Sequence, residues 1–492
     1  MFLLATPLLA EAKASKPRTS GSFTTARGIP FASSPANMIH PRRETATRDP
    51  ETPRARSTTE DPSTWRASRP IAIAVLVDLE LRREAGGHVK SWERFASAAV
   101  EYPDRLDLTL HFLGPKREVC EIAPNVRIAL HRPLLSTRFF EWTENAPGHT
   151  DIGPIAFSII GDLKKQDVIH TTDAFFAQAW TGLRVARWLR KPLVTSIHTD
   201  TPAYTRIYMD RLLAKRGKVG AIPRFVLQRL RAPERAEKFM RRRLESYARR
   251  CDWTFVSMKE DLDRIRAIAP NKASLLRRGI DKQVFHPRAR DRQRLRHVHG
   301  IPEAKRVLLY VGRLDRTKNV PLLAAAARLL LDAGEPIHIL CVGEGDEKDG
   351  LEKALGPDVT LAGQVYLPDL AWLYASSDLF VFPSATETFG NVAIEAKATG
   401  LPVVLSAQGG SAQHVSEDGA DGVLVEGDRP EDWANAIHPL IQRPSLLKRM
   451  GAAARSCVER EWPSWEDVLL EDLLPVWEAA AAKARSDLAR RA

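Results

Sequence analysis

Long apolar runs are missing from this chain of 492 residues. None approaches the roughly 18 residues needed to cross a bilayer, so any contact with a membrane would be made from one side. Cysteine is scarce. Cys120, Cys251, Cys341 and Cys457 lie far apart with no C-x-x-C pair, so neither a disulfide framework nor structural zinc is implied, as expected in a reducing compartment. No G-x-G-x-x-G follows the first apolar strand, which argues against a dinucleotide oxidoreductase, and no short internal repeat is present. The first residues, MFLLATPLLAEAKA, lack a basic residue ahead of their apolar run, and Pro7 interrupts it. A secretory signal is poorly matched, and a cytoplasmic protein is the expectation.

What is there is ordinary globular composition, 44% apolar and 27% charged, in a length that suits two or three domains. The 73 basic residues exceed the 61 acidic ones by 12, and the excess is local. Residues 205–250 hold 15 basic and 4 acidic side chains, an excess of 11, interleaved with Ile, Tyr, Leu, Phe, Val and Met. That pattern suits an amphipathic surface on anionic lipid and equally a solvated helical insertion. Nucleic acid is not expected, since no recognised binding motif accompanies the charge.

Residues 1–69 are rich in Ser, Thr, Pro, Ala and Arg without apolar period, and a disordered extension is expected, with Met38 as an alternative start. From Ile71 short apolar runs alternate with amphipathic stretches: IAIAVLVD, LDLTLHFL, VRIALH, VIHTTD, LVTSIHTD and WTFVSM, then VLLYVGR, IHILCVGEG, VTLAGQV, LFVFPS, PVVLSA and GVLVEG. Such alternation predicts parallel strands with crossover helices. The fold class is α/β: two tandem Rossmann-like doubly wound domains, residues 70–290 and 291–455, followed by helices over 456–492.

The strongest local pattern is PSATETFGNVAIEAKATGLPVV, residues 383–404. Glu387 falls in a strand-to-helix loop, Gly390 and Asn391 open the helix, and Glu395 lies one turn in. A helix start offers free N–H groups and a positive dipole end to an anion, and flanking carboxylates can accept hydrogen bonds from hydroxyls. In VLLYVGRLDRTKNVPLL, residues 307–323, Arg313 and Lys318 follow a strand end, where two cations can converge on a diphosphate.

Glu387 and Glu395 in E-x7-E, with F-G between them and A-x-G-L-P-V-V after, resemble the donor motif of family 4 glycosyltransferases, retaining enzymes of the GT-B fold. The G-R-x-x-x-x-K-N run from Gly312 resembles that family's phosphate-binding element. The resemblance covers about residues 71–460. It implies that Glu387 contacts the transferred sugar, that Glu395 binds the nucleotide ribose, and that Phe389, Gly390 and Asn391 approach sugar and phosphate. Arg313 and Lys318 would hold the donor phosphates, while Gly343 and Glu344 belong to a strand end similar to one that lines the nucleotide. Gly87, in a Gly-Gly loop before a helix, would face the donor across the cleft, and His198 matches a cleft histidine near the reacting sugar. Asp200 and Tyr204 are candidates for positioning an acceptor. In RRGIDKQVFHP, residues 277–287, Arg278 replaces the family's usual Asn, a departure expected to touch only local turn geometry.

No D-x-D follows an apolar strand, since Asp261 and Asp263 fall in a predicted helix, so no metal and no resident cofactor are expected. The implied activity is transfer from a nucleoside-diphosphate sugar, GDP-mannose or a UDP-sugar, to a lipid or glycan acceptor, with an enzyme peripheral on the cytoplasmic face of a membrane. The alternatives are a non-catalytic two-domain sugar-binding protein and a polysaccharide or small-molecule transferase.

Overall fold

The computed structural model describes residues 69–82, 86–139, 149–214, 229, 231–387 and 389–490. The expected disordered extension lies almost wholly outside these residues, as do 215–228 and 230 of the basic stretch.

Two sheets organise the molecule. The first has the order β3-β4-β2-β1-β5-β6-β7-β8, from β1 (Ile71–Glu80), β2 (Leu106–Leu113), β3 (Glu118–Ala123), β4 (Val126–His131), β5 (Val168–Thr171), β6 (Leu193–Ile197), β7 (Trp253–Val256) and β8 (Ala273–Leu275). The second has the order β11-β10-β9-β12-β13-β14, from β9 (Arg306–Val311), β10 (Ile337–Val342), β11 (Val359–Leu361), β12 (Leu379–Phe382), β13 (Val403–Ser406) and β14 (Gly422–Val425). Central strands read as continuous apolar runs because helices cover both faces: every residue of β10, β12 and β13 is buried.

One expectation is corrected. The first sheet is not wholly parallel, because β3 pairs antiparallel with β4. This strand, EVCEIA, alternates between half-buried and exposed positions, as an edge strand with one covered face does. It carries no apolar run, so a search for such runs passes it by.

The terminal helices do not form a separate unit. Val468, Leu469, Leu473, Leu474 and Trp477 are buried in the same cluster as Ile73, Val75, Trp92, Phe95 and Phe112 of the first domain. After the second sheet the chain therefore returns to complete the first domain's core. Outgoing and returning segments touch where they cross: a Cβ on Gly279 would lie 2.5 Å from the Trp465 backbone, Ile280 N–H donates to Pro463 O at 3.1 Å, and Arg277 pairs with Glu471 and Asp472. No helix among the described residues is long and apolar enough to cross a membrane.

In each sheet the strand order reverses direction beside the first strand, between β1 and β5 and between β9 and β12. Loops at the carboxyl ends on either side of such a switch point diverge and leave a crevice. The second domain's crevice is flanked by the loops after β9 and β12, which carry both of the motifs singled out above.

Candidate active site in the interdomain cleft

The loop after β9 is shaped by glycine and aspartate. Gly312 has φ +155° and Gly343 φ +137°, and a Cβ on Gly343 would sit 1.9 Å from Gly312 O. These two strand ends touch backbone to backbone, which only glycine at 343 allows. Asp315 then caps a turn, accepting from Thr317 N at 2.9 Å and Lys318 N at 3.1 Å, and its other oxygen pairs with Arg313 at 2.8 Å. One carboxylate thus fixes both cations. The Lys318 ammonium contacts Glu387 of the facing loop, so Arg313, Lys318 and Glu387 come together.

The loop after β12 is held at both ends. Thr386 Oγ1 donates to Thr317 O at 2.9 Å, and Gly410 N–H to Glu387 O at 2.7 Å. Gly390, at φ +82°, caps the helix Asn391–Ala398, and a Cβ there would meet Ser411 Oγ at 2.6 Å. The His414 ring donates from Nε2 to Phe389 O. Lys397, fully buried on the far side of the helix, donates to His414 O and, at 2.8 Å, to Asp421. His414, Lys397 and Ser411 were not anticipated, because their role is to brace a loop distant in sequence.

Glu395 accepts from Tyr374 O–H at 3.0 Å. Part of its surface stays accessible, yet desolvation pushes its carboxyl up to about 7, with the Tyr374 bond and the Arg94 charge pulling the other way. It is poised to gain hydrogen bonds that favour its charged form. Glu344 accepts from Leu314 N–H of the Arg313 loop through its carbonyl at 2.8 Å, its carboxylate pairs with Lys348, and a Cβ on Gly363 would lie 3.1 Å from that carboxylate.

From the first domain, Gly87 starts the helix Gly87–Ala99. A Cβ on it would lie 3.2 Å from Asn391 Nδ2, so this helix start faces the second domain's loop at close range. His198, at the end of β6, is buried and both its ring nitrogens are engaged: Nε2 with Ser196 Oγ at 2.8 Å, Nδ1 with an Arg278 N–H at 3.0 Å. The tautomers follow from the two ends of this chain. Trp477 can only donate to His170 Nδ1, 2.9 Å away, and Arg278 can only donate to His198 Nδ1. Both imidazoles therefore carry their proton on Nε2 and share Ser196 Oγ as acceptor. Burial, then the neighbouring His88 and Arg278, holds His198 well below the usual histidine range. It is a neutral ring with no nitrogen free in this arrangement.

Arg278 requires a second correction. Its guanidinium is buried, reaches Ser91 Oγ at 2.6 Å as well as His198, and lies 5.8 Å from the centroid of the Phe389 ring. Its influence extends well beyond the local turn, into the cleft between the domains.

Among the described residues the group able to hold a metal is His111, His131 and Asp162, whose ligand atoms lie within 4.8 Å of one another. The two rings already hydrogen-bond to each other at 2.9 Å, and Asp162 is paired with Arg117 at 3.1 Å. Of the acceptor candidates, Asp200 pairs with Arg241 at 3.6 Å. In the described parts of the basic stretch, Arg206 and Arg241 pair with Glu237, and Arg243 lies over Trp180 and the exposed Phe239.

Residues 291–456 match the family described as glycosyl transferases group 1. The match takes in the whole of the second sheet, β9 to β14. Sulfoquinovosyl transferase SQD2 of Arabidopsis thaliana is 31% identical over 306 residues, 61% of this chain and 54% of that protein. D-inositol 3-phosphate glycosyltransferase 1 of Catenulispora acidiphila is 38% identical over 213 residues, covering 40% and 50%. The chain spans about half the length of these curated relatives. Among solved structures, sucrose-phosphate synthase of Thermosynechococcus elongatus aligns with a TM-score of 0.58 at 21% identity, over 86% of this chain and 98% of that one. Anabaena HepE in complex with UDP and glucose aligns at 0.56 and 16%, over 85% and 99%. The architecture is GT-B, as expected, with two parallel-sheet domains and carboxyl-terminal helices.

Proposed function

We propose that this glycosyltransferase moves a sugar from a nucleoside-diphosphate sugar to a membrane lipid or glycolipid, with retention of configuration and without a metal. The observation that carries the reading is the convergence of Arg313, Lys318, Glu387 and the Gly390 helix start at one switch point, opposite the Gly87 helix start. The leaving group is a diphosphate, so the main catalytic demand is to stabilise charge developing on its oxygens. Arg313, Lys318 and the free amides at Gly390 and Asn391 supply it. Glu387 accepts from hydroxyls of the transferred sugar and Glu395 from the ribose, while Gly343 and Glu344 line the nucleotide. An acceptor hydroxyl attacking from the leaving-group face can pass its proton to a departing phosphate oxygen, so no protein nucleophile is required. His198, with no free nitrogen, acts by shape and by orienting Arg278. Domain closure excludes water and limits hydrolysis of the donor.

A lipid acceptor is supported by the basic, apolar character of residues 205–250, which would lie on an anionic membrane surface. Thermal stabilisation by UDP-, GDP- and ADP-sugars tests the donor half. One nucleotide class should raise the melting temperature, and Glu395→Ala and Arg313→Ala should each abolish the shift. No shift with any of them, in folded protein, would favour a binding protein of another specificity.

A further inference from the structure

Arg278 is a buried cation for which the described residues supply no anion. It is 6% exposed, and among the described residues no carboxylate pairs with it. Its acceptors are neutral: Ser91 Oγ at 2.6 Å and His198 Nδ1 at 3.0 Å. Among the described residues its Nε–H has no partner, and neither does the buried Nε2 of His88, whose ring stacks on His198 with centroids 4.3 Å apart. Desolvation lowers Arg278 only to about 10, so it stays charged at neutral pH. Burial pushes His88 down to about 3, with the Arg278 charge acting in the same direction, so His88 does not share the charge. A guanidinium withdrawn from water without a counter-charge is costly unless an anion completes it.

The place is built. The residue after Arg278 is pinned by the Gly279–Trp465 contact, the residue before it by Asp472, and the guanidinium sits over Phe389, next to Gly390 in the sugar-facing loop. It lies beside the first turns of the helix Gly87–Ala99, whose N-terminal dipole also favours negative charge. The donor diphosphate already has Arg313 and Lys318, on a different loop.

We propose that Arg278, with His88 beside it, forms a second anion subsite, receiving a phosphate, sulfonate or carboxylate group borne by the transferred sugar or by the acceptor. The proposal rests on the donor-site reading for its place in the reaction but not for its test. A planar guanidinium with N–H donors to spare, the Nε–H among them, suits such an oxyanion.

The test titrates inorganic phosphate into the full-length protein, alone and with saturating UDP or GDP, by calorimetry and thermal melting. Wild type should bind phosphate under both conditions. Arg278→Gln should weaken phosphate binding tenfold or more while changing nucleoside-diphosphate affinity less than twofold, and Arg278→Lys, which keeps the charge, should retain most of it. Phosphate should raise the melting temperature of wild type but not of Arg278→Gln. Equal phosphate binding by wild type and Arg278→Gln, an adventitious ion only, overturns the proposal. So does parallel loss of nucleoside-diphosphate affinity, which would place Arg278 in the diphosphate site.

Two further arms assign the source. If the anion rides on the sugar, UDP-glucuronate binds tighter than UDP-glucose and Arg278→Gln removes the difference. If it rides on the acceptor, glycerol 3-phosphate adds to the nucleotide-saturated protein and Arg278→Gln abolishes the addition. Failure of both arms overturns the proposal. A wild type that binds phosphate at Arg278 but no nucleotide sugar would refute the donor reading and leave this subsite standing.

Discussion

On the second-domain face of the cleft, the polar groups come from two short stretches, 312–318 and 383–395, which hold each other through Lys318 and Thr386, with Tyr374, Gly410 and His414 bracing the second. On the first-domain face the corresponding groups come from Gly87, Ser91, His198 and Arg278, with His170 and Trp477 behind them. They are separated by up to 390 residues and meet only when the chain has crossed between the domains twice. A diphosphate and a ribose present the same atoms to any transferase, so a contiguous motif can hold them. In the proposed function the other face meets what is specific to the reaction, and its parts are assembled by tertiary packing.

The sharpest break of this contrast is Gly343→Ala. Its Cβ would stand 1.9 Å from Gly312 O at a φ of +137°, which no rotamer relieves. The expected cost is about 4 kcal/mol or more, measured by denaturant unfolding, and the donor half should lose its structure. Next comes Lys318→Ala, which removes the cation between Glu387 and the diphosphate position without touching the core. Turnover of the donor chosen by thermal shift should fall about 10²–10³-fold, with the melting temperature nearly unchanged. A drop under tenfold would mean that the charge developing in the transition state lies elsewhere.

The same contrast governs what could be read from sequence. Glu387, Glu395, Arg313 and Lys318 stand out because strand ends, turn residues and charge lie together in two short stretches, and twelve strands were legible because parallel strands covered on both faces are mostly apolar. β3 was not, since an edge strand with one covered face has no such run. Arg278 could be seen as a departure from pattern, but not where its side chain reaches, because Ser91 and His198 lie 187 and 80 residues away. The return of Trp477 to His170 spans 307 residues and has no local signature beyond an amphipathic helix. Tyr374, which hydrogen-bonds Glu395, sits in an apolar helix where nothing in the sequence marks it.

Glu395→Gln sharpens the comparison by giving stability and binding opposite signs. The folded carboxyl titrates at about 7 against 4.5 for the ordinary group. A raised value means that the protonated form folds better, so stability is complete below 4.5 and falls as pH rises to about 7. Glutamine removes that loss and still accepts from Tyr374. The variant should match wild type near pH 4.5 and exceed it by up to about 3 kcal/mol above pH 7, as read by denaturant melts across pH. Donor affinity should move the other way. Ribose hydroxyls favour the carboxylate, so wild-type affinity should rise with pH up to about 7, whereas the variant should bind weakly and without that slope. A flat wild-type profile would sever Glu395 from the donor.

The smallest effect comes from a glycine that packs against nothing. Gly161 lies inside the helix Phe157–Leu163 of the first domain, and a Cβ there meets no atom within 4 Å. Gly161→Ala should stabilise the protein by about 0.5–1 kcal/mol, since alanine loses less backbone entropy in a helix, with donor binding untouched. Gly343 and Gly161 are the same residue type at positions of opposite demand. If Gly161→Ala destabilised the protein, this helix would be making close contacts of its own, as Gly279 does where it meets the Trp465 backbone.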